Sequence, residues 1–168
     1  MSLRPRYRKR SKGEIPISLA EAMLNRDDCQ KWIESLTRRL LRNAQAPEGE
    51  NPLEDPQTLL AEIDATLETL SDLNHRINLT HAQTLVEEDL TLLDAIGERE
   101  VLARKIAIYE SLADKASYCP PRDRQSDLRS VSTVNLSYLH RQIEQLARDY
   151  RNLDTKIQQA SWKTELLY

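Results

Sequence analysis

Five polar residues interrupt the apolar stripes of the helices that this sequence encodes: Arg26, Asn43, Asn74, His81 and Arg99. Most stand where a leucine would be expected, at steps of three and four residues along a helix face. A guanidinium in such a place can hold an anion, or it can lock helix register against a carboxylate. Buried without either, it would cost several kcal/mol. Pairing the helix ends across each connection sets Arg26 opposite Asn74, Asn74 opposite Arg99, and Arg99 opposite Leu153-Asp154. Arg26, Asn74, Arg99 and Asp154 are therefore the candidate site. Its first reading is a structural polar layer that fixes register and oligomeric state, as a buried Asn does in coiled coils. Its second is an anion-binding pocket, with Asp27 and Glu100 as further local acids, and its third an arginine that simply reaches solvent past the bundle edge.

Other chemistry finds less to stand on. Asp72-x-x-His75 has the i, i+3 spacing of di-iron bundles, but His75 lies beside the stripe rather than on it. His81 lacks a second ligand one turn away, and His140 sits next to the stripe position Leu139. The reading is no metal and no cofactor. Serines fall at caps and loops, so no Ser–His–Asp arrangement is readable, and the glycines lack phosphate-loop spacing. Cys29 and Cys119 are too few and too far apart for a disulfide framework. Cys29 reads as a small core residue.

The elements that must position these residues are long helices. Leu136, Leu139, Ile143, Leu146, Tyr150, Leu153, Ile157 and Ala160 follow alternating steps of three and four over one helix, which Asn135 can cap. A first helix opens at Ser18 with a capping box completed by Glu21, carries Leu19, Ala22, Cys29, Ile33, Leu36 and Leu40, and ends before Pro47. The second is capped by Asp55 with Pro56 at its first position and bears Leu60, Ile63, Leu67, Leu70 and Ile77. The third opens at Thr91 with Asp94, bears Leu92, Ala95, Leu102, Ile106 and Tyr109, and stops at Cys119-Pro120-Pro121. The expected fold is all-α: four long antiparallel amphipathic helices in a coiled-coil-like bundle. Minor β structure is expected near 84–91, as a hairpin, and near 131–134. Residues 1–16 are expected to be a basic disordered extension, and 17–168 a single helical domain.

Composition agrees with helices laced by solvent: 30% of the residues are charged, and there are three glycines and no phenylalanine. The net charge of −3 conceals an asymmetry, because residues 1–12 hold six of the 24 basic residues and no acid. That tail reads first as a solvated extension; the alternative is weak contact with nucleic acid or anionic lipid, with Tyr7 as a stacking residue, a contact that the acidic body does not favour. No apolar run reaches the roughly 18 residues of a transmembrane segment, and no apolar stretch follows the basic start as a secretory signal would require. The localisation read from this is cytoplasmic. Trp32, Leu41, Ile108, Leu112 and the apolar tail Trp162–Tyr168 lie off the stripes, so association with self through dimeric units is expected.

Several phrases resemble a bacterial family of unknown function whose members are often labelled septicolysin. They are Leu19-Ala20-Glu21-Ala22, Arg39-Leu40-Leu41-Arg42-Asn43-Ala44, Glu54-Asp55-Pro56, the run Leu73 to Thr80, Glu98-Arg99-Glu100, Val131 to Asn135, and Trp162 to Leu166. The resemblance spans Ile17 to Leu166 and implies a helical homo-oligomer, extending to a hexamer. It also carries the pore-forming activity of the septicolysin label. Residues 1–16 precede the usual family start; Ser161-Trp162 stands for Asn-Trp, and Asn135 for a capping Asp. The resemblance supplies no catalytic residues. The reading is thus a non-enzymatic, oligomeric helical interaction or structural protein. The alternatives are a pore-forming toxin and a small-anion binder or enzyme using the arginine layer.

Overall fold

A computed structural model describes residues 16–118 and 132–168. The basic stretch 1–15, the Cys119-Pro120-Pro121 stop and Val131 lie outside the described residues. The chain is all-α with one small antiparallel hairpin. Its elements are α1 (Leu19–Arg42), α2 (Pro56–Gln83), β1 (Leu85–Glu87), β2 (Leu90–Thr91), α3 (Leu92–Ser117) and α4 (Leu136–Lys163). Ser132 to Val134 form no strand, so the extended segment expected there is absent from its described part.

Every helix starts where side-chain chemistry satisfies its free amides. Ser18 caps α1 in a reciprocal box, its hydroxyl accepting from the Glu21 amide at 3.2 Å while the Glu21 carboxylate accepts from the Ser18 amide at 2.7 Å. That backbone bond, with the Ser18 hydroxyl, holds Glu21 below the usual carboxylate pKa. Asp55 caps α2 ahead of Pro56, accepting from Gln57 and Thr58, and the Thr58 bonds lower its pKa. Thr91 caps α3 through the Asp94 amide, and Asn135 accepts from the Tyr138 amide at 3.0 Å to open α4. The last residue of β2 is thus also the cap of α3, which ties the hairpin to that helix.

Asn43 illustrates why a polar residue can end an apolar stripe. It is buried and closes α1: its side-chain amide donates to the Arg39 carbonyl at 2.9 Å, and its oxygen accepts from the Glu54 amide at 3.1 Å. Arg39 in turn forms an ion pair with Glu54, whose pKa that bond lowers. Side chains tether the loop between α1 and α2, which also holds a tight turn: the Glu50 amide donates to the Pro47 carbonyl at 3.0 Å, and Gly49, at φ 88°, takes the left-handed conformation that turn requires.

The described residues fall into two compact units. One holds the residues up to Thr84 together with Ala160–Tyr168; the other holds those of Leu85–Gln159. In the first, α1 and α2 run antiparallel around a core of Trp32, Leu36, Leu59 and Ile63, with Leu40 packed against it. Leu19, Ala22, Cys29, Leu73 and Ile77 are also buried. Trp32, expected to lie outside the stripe, belongs to this core because the apolar stripe of α1 is wide enough to include it. In the second unit, the Arg99–Asp154 ion pair joins α3 to α4, and Lys156 of α4 pairs with Glu87 of the hairpin. Its buried apolar residues are Leu92, Ala95, Ala113, Leu139 and Ile157.

Leu36 is fully buried at the centre of the first core. Leu36→Ala should lower unfolding free energy by about 2–5 kcal/mol, through lost transfer energy and the cavity left behind. The midpoint of urea unfolding followed by circular dichroism measures it; a change within error would show that this core does not carry the helix pair.

Candidate functional site

Where the sequence places a polar layer, the four side chains have different surroundings. Arg26 is half-buried on α1 and gives its guanidinium to the adjacent Asp27, with Nε and Nη2 at 3.0 and 2.7 Å from the same carboxylate oxygen. Asn74 is exposed on α2. In the second unit, Arg99 Nη1 donates to Asp154 at 2.8 Å, and the other oxygen of that carboxylate accepts from Gln158 Nε2 at 2.7 Å. The side chains of Arg99 and Asp154 are 29% and 24% exposed, so the pair is shielded but not dry.

A stronger polar constellation lies in the first unit, built by α2 and the residues that follow α4. Asp72, Arg76 and Thr80 recur every four residues and so share one row of α2. After α4 the chain becomes extended and lies along the start of α1. The Leu19 amide donates to the Thr164 carbonyl at 2.8 Å and the Leu166 amide to the Ile17 carbonyl at 3.0 Å, making an antiparallel bridge of Ser18 with Glu165. Leu166 is buried. The next residue is held by side chains: its amide donates to Thr80 Oγ1 at 3.0 Å, and its carbonyl accepts from Arg76 Nε at 2.8 Å. The Tyr168 ring lies 4.5 Å from the Arg76 guanidinium carbon, a cation–π distance. Arg76 is only 6% exposed, and its Nη1 is 3.8 Å from Asp72.

Arg76 is the residue that the stripe pattern overlooks. It sits beside the apolar stripe of α2, where an arginine ordinarily reaches solvent, and its spacing from Asp72 and Thr80 was the available signal. Burial comes from the Thr164–Tyr168 segment, a contact remote in sequence. The apolar tail, expected to serve association, instead docks on its own chain through Leu166, while Trp162 and Tyr168 stay exposed.

His81, the next residue on α2, is 8% exposed, and its Nε2 is buried without a hydrogen-bond partner. Burial, and then the nearby Arg26 charge, push its pKa below the ordinary 6.5. Cys29 is buried as a free thiol, and burial followed by Asp28 raises its pKa, which disfavours the reactive thiolate. Among the described residues no group of three or more His, Cys, Asp or Glu side chains is arranged to hold a metal ion, and no helix is long and apolar enough to cross a membrane.

Two outcomes follow from these geometries. Asp154→Ala should cost about 1 kcal/mol, because water reaches the Arg99 left behind, and Arg99→Met should cost less. Urea titration of both variants measures this; a loss of several kcal/mol for Asp154→Ala would mean a dry pair. For His81, the unfolded chain gains a proton below about pH 6.5 that the folded chain resists. Stability should therefore fall as pH drops from about 6.5 toward the depressed folded value, by up to about 1.4 kcal/mol per pH unit. The loss between about pH 7.5 and pH 5 should shrink in His81→Gln; equal losses in both proteins would exclude His81 as its source.

Comparison with known proteins agrees with a fold lacking an assigned chemistry. A solved structure described as that of a functionally unknown conserved protein from Corynebacterium diphtheriae is 33% identical, with a TM-score of 0.85. The alignment covers 91% of this chain and 100% of that one. No curated protein matches. The model of a family of unknown function, DUF6847, matches residues 26–166. With most of its length matched, from within α1 to the buried Leu166, the chain belongs to this family of unknown function.

Proposed function

We propose that this is a non-catalytic, cytoplasmic helical protein that works by associating with copies of itself. The observation that carries this reading is the apolar surface left on the second unit. Helix α3 presents Val101, Ile108 and Leu112 on one face, 64%, 66% and 43% exposed, at steps of seven and four residues. Its other apolar stripe, Leu92, Ala95, Leu102, Ile106 and Tyr109, lies on a different side, so α3 is apolar on more than one face. A helix of that kind wants more than one packing partner. On α4, Leu136, Ile143, Leu146, Tyr150 and Leu153 of the long stripe are only partly covered. Contiguous apolar area of this extent marks association sites. A second copy, bringing the same helices, offers stripes of matching length and period.

In this reading Arg99–Asp154 fixes the register of α3 against α4, which is the structural role of a polar layer. Arg26, already neutralised by Asp27, and the exposed Asn74 lend no support to an anion pocket. The pore-forming activity attached to the septicolysin label gains no support either. Dimeric units built through these faces are the assembly that the reading favours; the hexamer rests on the family resemblance alone.

Static light scattering at micromolar concentration should give a mass well above the 19.4 kDa of one chain. Ile108→Glu with Leu112→Glu should lower that mass while leaving the helical circular dichroism intact. A 19.4 kDa particle for the unaltered protein would overturn the reading.

A further inference from the structure

We propose that the cleft between the first turn of α1 and the last turns of α2 is a binding site for an extended peptide, and that its ligand is the Thr164–Tyr168 segment of a second copy as well as that of the same chain. The proposal rests on the self-association reading above.

The cleft has the parts of a peptide receptor that works by strand addition. Main-chain groups of Ile17 and Leu19 pair with the segment on either side of Glu165, which points outward and is exposed. The alternate residue Leu166 is buried. Main-chain bonds give affinity in this mode, and a pocket for alternate side chains gives selectivity. Beyond it, Thr80 Oγ1 and Arg76 Nε read the amide and the carbonyl of the same residue, Leu167, at 3.0 and 2.8 Å. Thr80 is itself oriented, its hydroxyl donating to the Arg76 carbonyl at 2.7 Å. The ligand class is therefore an extended segment with a buried aliphatic residue, a second residue held by its backbone, and an aromatic residue over the guanidinium.

A second copy is the source because each copy carries that ligand, and because of how the contacts are grouped. The segment belongs to the first unit, yet it hangs from α4, whose body up to Gln159 belongs to the second. Every bond named above lies within the first unit, so a segment supplied by another chain makes the same bonds. Exchange of an identical element between protomers is a low-cost route to association.

The test uses full-length chains. Leu166→Glu puts a charge where a buried side chain belongs, so it frees the resident segment and vacates the cleft. A fluorescent synthetic peptide of residues 162–168 should bind this variant saturably and a scrambled peptide should not. Adding Arg76→Met should weaken binding about tenfold, the worth of one charge-assisted hydrogen bond. A mixture of Leu166→Glu with Arg76→Met chains, both also carrying Ile108→Glu and Leu112→Glu, should form a heteromer that neither forms alone. No peptide binding by folded Leu166→Glu overturns the site. Peptide binding without the heteromer overturns the second copy as its source. If Ile108→Glu with Leu112→Glu leaves assembly unchanged, the earlier reading of the α3 face fails, whatever the peptide does. Should Leu166→Glu lose its helical circular dichroism, amide exchange in the unaltered chain decides: millimolar peptide should speed exchange at Leu166 and Leu167, and unchanged rates overturn the proposal.

Discussion

A guanidinium removed from water must be given partners, and the arrangement of the first unit answers that demand at Arg76. Its Nε is taken by the Leu167 carbonyl, its face by the Tyr168 ring, and Asp72 stands 3.8 Å away. Burying an unpaired charge would outweigh much of what a small helical core contributes. The segment that answers Arg76 also pairs with the backbone at Ile17 and Leu19 and buries Leu166. One polar side chain thus couples the start of α1, the end of α2 and the residues after α4.

The second unit meets a different constraint. Helices α3 and α4 are long and carry ample apolar residues, yet few of these are buried. What joins the two helices is partly ionic, through Arg99 and Asp154, and water reaches that pair. An ion pair of this exposure orients helices more than it stabilises them. The apolar stripes of this unit are therefore left largely uncovered within the single chain.

The polar residues that interrupt the stripes turn out to have separate purposes. Asn43 ends a helix and tethers a loop. Arg26 is neutralised by its own neighbour, and Asn74 faces water. His81 is enclosed without a partner for Nε2, an arrangement suited to a neutral imidazole. A polar residue at a stripe position signals that something unusual happens there, without saying which of these it is.

Local chemistry was legible in the sequence by itself. Capping by Ser18, Asp55, Thr91 and Asn135, the hairpin between α2 and α3, and the apolar periods of four helices depend on residues within a few positions of each other. Such interactions are encoded by spacing alone, which is why the all-α class and the helix starts could be read. Which stripe faces which, and at what register, depends on how whole helices pack. A shift of one turn leaves every stripe intact, so periodicity alone could not fix the level at which Arg26 meets α2. The burial of Arg76 by residues 164–168 depends on a contact made about 90 residues away along the chain. The division into two units crosses the uninterrupted helix α4, so no change in period marks it. Tertiary structure decided these things, because only folding brings remote backbone groups to the charges that require them.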